Sequence, residues 1–225
     1  MKKFLVLLVC AVVLLVGDKS GIESSFDAEK TYEQGKAFYN NKEYDKAAEL
    51  FKKACDGGEM LGCHNLGFMY EYGNGAEKDF SKAVELYKKA CDGGNMLGCN
   101  YLGVMYTYGN GVEKDFSKAV ELFKKACDGG EMLGCTNLGF MYEKGSGVEK
   151  DLGKAAQLFK KACDGGEMHG CYNLGLIYAN GFGVEKDFSK ATELLKKACD
   201  GGEMNACRSL DIIYKLKAME QKKTR

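Results

Sequence analysis

Apolar residues recur with helical spacing in two stretches of each 36-residue segment of this chain. Within residues 59–94 the first stretch places these side chains at positions i, i+3, i+4 and i+7: Cys63, Leu66, Gly67 and Tyr70. The second stretch forms another apolar stripe: Phe80, Ala83, Leu86, Tyr87 and Ala90. Glycine-rich sequences at 72–75 and 92–94 follow the two stretches, and glycine readily adopts the backbone angles of turns. The pattern predicts two helices joined by a tight turn.

From residue 27 onward the whole chain repeats this helix pair. A shorter opening unit of tetratricopeptide type is followed by four full units and a partial one, with these predicted bounds: 27–58, 59–94, 95–130, 131–166, 167–202 and 203–225. Units of this length stack on their neighbours into a solenoid. We therefore expect an all-α superhelix of helix-turn-helix repeats, with residues 203–225 forming a capping helix and a charged tail.

Each full unit has a glycine in the middle of its first predicted helix. These residues are Gly67, Gly103, Gly139 and Gly175. Glycine within a helix costs about 1 kcal/mol relative to alanine. Close approach of a neighbouring helix is the natural reason for accepting that cost, so we expect another helix to pack directly on these positions.

The first residues of the chain have the pattern of a secretory signal. Two lysines precede an uninterrupted apolar run at residues 4–16, which is too short to span a bilayer. We expect a signal peptide over residues 1–22, cleaved between residues 17 and 26. The mature protein would then be secreted or periplasmic, without a membrane span.

Ten of the 11 cysteines form five pairs with identical spacing. The pairs are Cys55/Cys63, Cys91/Cys99, Cys127/Cys135, Cys163/Cys171 and Cys199/Cys207. Each pair brackets the turn between two units, where residues eight apart can reach the Cα separation of a disulfide. Zinc sites have tighter cysteine spacing and redox sites have C-x-x-C, so the pattern predicts one disulfide in each repeat.

Composition excludes several classes of function. The 32 basic and 32 acidic residues give no net charge, which argues against nucleic-acid binding. Only two histidines are present, and no cofactor-binding motif occurs, so we expect neither a metal site nor a cofactor.

The motif Leu-Gly-x-x-Tyr, followed by Gly-x-Gly-Val and Lys-Ala-x-x-Leu, resembles the Sel1-like repeat. One copy has Leu102, Gly103 and Tyr106, then Gly109–Val112 and Lys118 to Leu122. With the cysteine pair in every unit, the chain is similar to the Helicobacter cysteine-rich protein family. The resemblance implies a secreted or periplasmic right-handed superhelix with penicillin-binding and weak β-lactamase activity.

The residues themselves supply no β-lactamase site. No serine is followed three residues later by lysine, the arrangement that serine β-lactamases use. His64 and His169 are separated by about three repeats and do not make the histidine cluster of a zinc enzyme. Two hypotheses remain: a weak β-lactamase that acts on β-lactam or peptidoglycan-like ligands, and a non-catalytic scaffold that binds a peptide, a cell-wall fragment or a host or envelope protein.

Positions that differ between units are the candidates for ligand binding, since stacking explains the identical ones. On the first helices, which should line the concave face, the polar and aromatic candidates are Asn65, Asn100, Tyr101, Asn137, Tyr172 and Asn173. Asparagine amides can hydrogen-bond an extended peptide backbone at both its donor and its acceptor. The alternative is that these positions vary freely on the surface.

Overall fold

The structure is a computed structural model that describes the backbone of residues 19–223 and the side chains of residues 27–215. All regular elements in this part of the chain are α-helices. Their bounds are α1 Lys19–Asn40, α2 Tyr44–Asp56, α3 Met60–Tyr72, α4 Phe80–Asp92, α5 Met96–Tyr108, α6 Phe116–Asp128, α7 Met132–Lys144, α8 Leu152–Asp164, α9 Met168–Asn180, α10 Phe188–Asp200 and α11 Met204–Lys223. The predicted all-α, repeat-based fold is confirmed.

The chain divides into two compact units, Met1–Gly98 and Cys99–Arg225. In the first unit α1 packs on α2, α2 on α3, and α3 on α4. In the second unit each helix from α6 to α11 packs on the next helix along the chain. Each unit is therefore a stack of helices in which most contacts are made between sequence neighbours, as in a solenoid.

Acidic side chains begin most of these helices. Asp79, Asp115, Asp151 and Asp187 cap the second helix of each full repeat, and their carboxylates accept a hydrogen bond from a backbone N–H three residues later. That backbone hydrogen bond is the main cause of the lowered pKa of each of these aspartates. The recurring aspartates therefore serve helix initiation.

The mid-helix glycines lie where a neighbouring aromatic or aliphatic side chain packs on the helix backbone. A methyl group added at Gly139 would lie 2.7 Å from Cε1 of Phe159, which is 1% exposed. Gly103 meets Phe123 in the same way, and Gly175 meets Leu195. The predicted close approach of a second helix is therefore confirmed.

A disulfide closes each turn between repeats. The Cα atoms of Cys55–Cys63, Cys127–Cys135, Cys163–Cys171 and Cys199–Cys207 are separated by 4.6, 4.5, 4.4 and 4.7 Å respectively. Cys91 and Cys99 are also disulfide-bonded. One disulfide per repeat, as the spacing predicted, therefore joins the end of one helix pair to the start of the next.

The last bridge is the most accessible one. Cys199 and Cys207 are partly exposed, whereas the cysteines of the other bridges are at most 1% exposed. Because exchange requires a thiolate to reach a bridge sulfur, mild reductant should open Cys199–Cys207 first. Native-state alkylation followed by mass spectrometry should label this pair before any other. Equal labelling rates for Cys127 and Cys199 would contradict the expectation.

Helix α11 differs from the other first helices at the glycine position. Asp211 stands where Gly67, Gly103, Gly139 and Gly175 stand in the full repeats, and it is exposed. An aspartate side chain there would obstruct a further second helix. Met204, Ile212 and Tyr214 are also exposed on α11.

None of the described helices is long and apolar enough to span a membrane. The apolar run at residues 4–16, on which the predicted export signal depends, lies outside the described residues.

Candidate functional site

The six candidate residues lie on the first helices of successive repeats, and several of them bond to one another or to a neighbouring repeat. Asn137 donates from Nδ2 to Oδ1 of Asn100 at 2.8 Å. In the first unit, Asn65 donates from Nδ2 to the hydroxyl of Tyr32 at 3.3 Å. These bonds connect consecutive first helices, so the amides contribute to repeat stacking.

The five candidates of the second unit differ in their surroundings. Asn100 is buried, with only 4% of its surface exposed, and its side chain accepts the hydrogen bond from Asn137. Tyr172 packs against the apolar cluster around Leu195, and Asn173 donates from Nδ2 to the carbonyl of His169 in its own helix. Tyr101 is partly exposed on α5. Of the six, Asn137 alone lines a mostly apolar pocket of the second unit.

That pocket lies between α5 and α7 and has a volume of about 370 Å³. We call it the α5–α7 groove, and its lining residues are Val104, Thr107, Tyr108, Phe123, Asn137, Phe140, Met141 and Lys144. Tyr108 is 70% exposed at its edge. Most of the lining is apolar, while the Asn137 amide and the Lys144 ammonium add polar groups. Such a surface suits an apolar side chain of a peptide whose backbone is hydrogen-bonded nearby.

Two further pockets occur at the turns within repeats, and they are copies of each other. One is lined by Tyr106, Val112, Glu113, Lys114, Asp115 and Lys118, and the other by Tyr142, Val148, Glu149, Lys150, Asp151 and Lys154. In each, a lysine ammonium lies 5.2 Å from the centre of a tyrosine ring. Because the arrangement is repeated, we attribute it to the construction of the turn.

His64 is a buried side chain of the first unit. It is 5% exposed, and its ring centre lies 5.5 Å from that of Tyr87. Burial lowers the pKa of His64 from 6.5 to about 4, because the charged imidazolium is poorly solvated there. Tyr87 in turn donates its hydroxyl hydrogen to Oε2 of Glu71 at 2.7 Å.

This burial predicts acid destabilisation. The unfolded chain binds a proton at His64 below pH 6.5, whereas the folded protein does so only near pH 4. Stability should therefore fall by about 3 kcal/mol between these pH values, through this group alone. His64→Asn, which copies Asn100 of the next repeat, should remove that part of the pH dependence in urea unfolding. An unchanged pH profile in His64→Asn would contradict the expectation.

A catalytic site would need metal-ligating, nucleophilic or acid–base side chains close together. No group of three metal-ligating side chains is found among those residues. His64 lies in the first unit and His169 in the second, where its Nδ1 lies 2.7 Å from Oε2 of Glu203. The α5–α7 groove contains no serine, cysteine or histidine.

Comparison with known proteins places these features in a family. The Sel1 repeat family matches residues 31–59, 61–95, 97–131, 133–167 and 169–203. HcpC of Helicobacter pylori, which has a provisional β-lactamase name, is 37% identical over 77 residues, corresponding to 34% of this chain and 26% of HcpC. The match thus spans about a quarter of that relative.

Comparison with solved structures also finds Sel1 repeat proteins. A Sel1 repeat protein from Oxalobacter formigenes is 31% identical with a TM-score of 0.77, over 82% of this chain and 76% of that one. The Escherichia coli protective antigen c5321 is 30% identical with a TM-score of 0.73, over 83% of this chain and 41% of that one. This chain belongs to the Sel1 repeat family.

Proposed function

We propose that this Sel1 repeat protein is a binding module that holds an extended peptide segment of a partner protein in the α5–α7 groove. The observation that carries the proposal is the mixed surface of that groove. Val104, Phe140 and Met141 supply apolar contact, and Tyr108 extends it outwards. Exposed tyrosines contribute large contact areas at small entropic cost, which is why they are enriched in binding surfaces.

Polar groups in the groove would orient the peptide. The Asn137 carboxamide is fixed by its bond to Asn100, so little freedom remains to be lost when a peptide binds. Lys144 is exposed and lies 3.5 Å from Glu143, which leaves its ammonium at the surface for a second acceptor. A peptide that has an apolar side chain next to a backbone carbonyl or an acidic group would match the apolar lining and the two polar groups of the groove.

We also propose that the protein functions outside the cytoplasm. Stable structural disulfides are typical of oxidising compartments, and every repeat of this chain carries one. The lysine-flanked apolar run near residue 1 is the sequence feature that would direct export. Amino-terminal sequencing of the protein purified from culture medium or periplasm tests this directly: a start between residues 17 and 26 supports export, whereas an intact Met1 contradicts it.

A displayed library of random decapeptides tests the groove. The oxidised protein should select peptides that share an apolar residue, and Tyr108→Ala should weaken them about tenfold by calorimetry, as loss of an aromatic contact does. Lys124→Ala, at an exposed position on α6, should leave the affinity unchanged. No selected peptide, or equal affinities for both variants, would contradict the proposal. A cell-wall fragment or another ligand that competes with the peptide would identify a second occupant of the same groove.

A weak β-lactamase is the second candidate, and the provisional name of HcpC is the observation that favours it. Purified, oxidised protein from a host without β-lactamases should then hydrolyse a chromogenic cephalosporin with saturation kinetics, and the activity should co-purify with the chain. Hydrolysis that stays at the background rate would remove this candidate. The peptide-binding proposal does not depend on the outcome.

A further inference from the structure

The last turn of α3 carries a combination of side chains that no other described repeat has. The rings of Phe68 and Tyr72 pack against each other with their centres 4.4 Å apart and their planes inclined by 35°, and Tyr72 is 56% exposed. Glu71 lies on the same helical turn, since residues three and four apart are neighbours on a helix surface. A carboxylate is thus combined with two aromatic rings at the surface of the first unit.

A hydrogen bond from a buried tyrosine holds the carboxylate of Glu71 in place. The hydroxyl of the fully buried Tyr87 donates to its Oε2 at 2.7 Å. In the other full repeats the position of Tyr87 is occupied by Phe123, Phe159 and Leu195, which have no hydroxyl. Partial burial raises the pKa of Glu71 from its usual value, while the Tyr87 hydrogen bond and Lys78 act in the opposite direction. The ammonium of Lys78 itself lies 4.5 Å from the ring centre of Phe80.

The equivalent turn of α7 has a carboxylate with a lysine beside it. Phe140 and Glu143 correspond to Phe68 and Glu71, but Lys144 replaces Tyr72. The ammonium of Lys144 lies 3.5 Å from Oε2 of Glu143, so a basic side chain of the chain itself pairs with that carboxylate. In α3 Tyr72 takes the place of that lysine, so position 72 contributes an aromatic ring next to Glu71 in the sequence instead of a cation.

We propose that Phe68, Glu71 and Tyr72 form a binding site for a lysine or arginine side chain of a partner peptide. Three effects favour a cation there: the negative charge of Glu71, the electron-rich faces of the two rings, and the negative end of the α3 dipole. The residues of this site belong to the first unit and those of the α5–α7 groove to the second, so either proposal can fail without the other.

The test is an NMR titration of the full oxidised chain with two probe peptides. These are acetyl-Gly-Gly-Lys-Gly-Gly-amide and the same peptide with glutamine in place of lysine, followed by an arginine version. The lysine and arginine peptides should shift the backbone resonances of residues 68–72, and the glutamine peptide should bind at least about tenfold more weakly.

Two variants distinguish binding at this site from nonspecific electrostatic attraction of the peptide to the protein surface. Tyr72→Lys copies α7 and should reduce the affinity for the lysine peptide about tenfold or more, since it replaces one of the two rings by a second cation of the chain in addition to Lys78. The substitution is at an exposed position, so the spectrum of the rest of the unit should be retained. Lys144→Tyr should create a weaker second site at Phe140 and Glu143. Equal binding of lysine and glutamine peptides, or unchanged binding by Tyr72→Lys, would overturn the proposal.

Discussion

Replacing Cys127 and Cys135 together by alanine should lower the free energy of unfolding by about 2–3 kcal/mol. The bridge closes a short loop, and the entropy that it removes from the unfolded chain gives this magnitude. Both cysteines are at most 1% exposed, so the loss of buried sulfur contributes in the same direction. Urea unfolding of the oxidised variant and of the wild type, followed by circular dichroism, measures the difference.

The reduced proteins supply the control for this prediction. In strong reductant the wild type also loses its bridges, so the stability difference between wild type and variant should largely disappear. The wild type itself should melt at a much lower temperature, because several bridges of this size are large against the total stability of about 5–15 kcal/mol of an ordinary domain. Equal melting temperatures of the wild type with and without reductant would contradict a stabilising role of the disulfides.

Gly134→Ala should destabilise the protein by about 2–4 kcal/mol, a large effect for one methyl group. Its new Cβ would lie 2.6 Å from Cβ of Ala126 and 2.9 Å from the backbone nitrogen of Cys127. Backbone atoms beside a disulfide cannot move aside easily, so the helices α6 and α7 would have to separate. Thermal unfolding of the oxidised variant measures the effect.

The same chemical change at Gly153 is the matched control. A methyl group there would meet only the carboxylate of Asp151 at 3.4 Å and a carbonyl at 3.9 Å. Gly153 is in the first turn of α8, where the other full repeats have serine, so alanine should stabilise the helix by about 0.4–1 kcal/mol. Similar effects of the two substitutions would show that the close contact at Gly134 is not what requires glycine.

The fold could be predicted from the sequence because the same pattern of apolar residues, glycines and cysteines recurs in every full repeat. The spacing of apolar residues predicted the helices, the turn glycines predicted where the helices end, and the cysteine spacing predicted the disulfides. Gly139 also predicted a close helix contact correctly, since few other reasons exist for glycine within a helix. A repeat whose pattern of apolar residues, glycines and cysteines differed from the others could therefore be recognised by comparison with them.

The candidate site could be predicted only in part, because a side chain's surroundings depend on the neighbouring repeats. Asn100 and Asn137 have the same chemistry, yet one is buried and accepts a hydrogen bond from the other. The groove combines residues of three helices, including Phe123 from α6, and nothing in the repeat spacing indicates such a pocket. The hydrogen bond from Tyr87 to Glu71 likewise joins two helices.

The central claim is that the α5–α7 groove is the peptide-binding site, and a methyl NMR titration tests it most directly. The oxidised protein, labelled at valine and methionine methyl groups, would be titrated with the tightest decapeptide from the library. Val104 and Met141 line the groove and should shift, whereas Val84, in the first unit, should not. Shifts at Val84 without shifts at Val104 and Met141 would contradict the account.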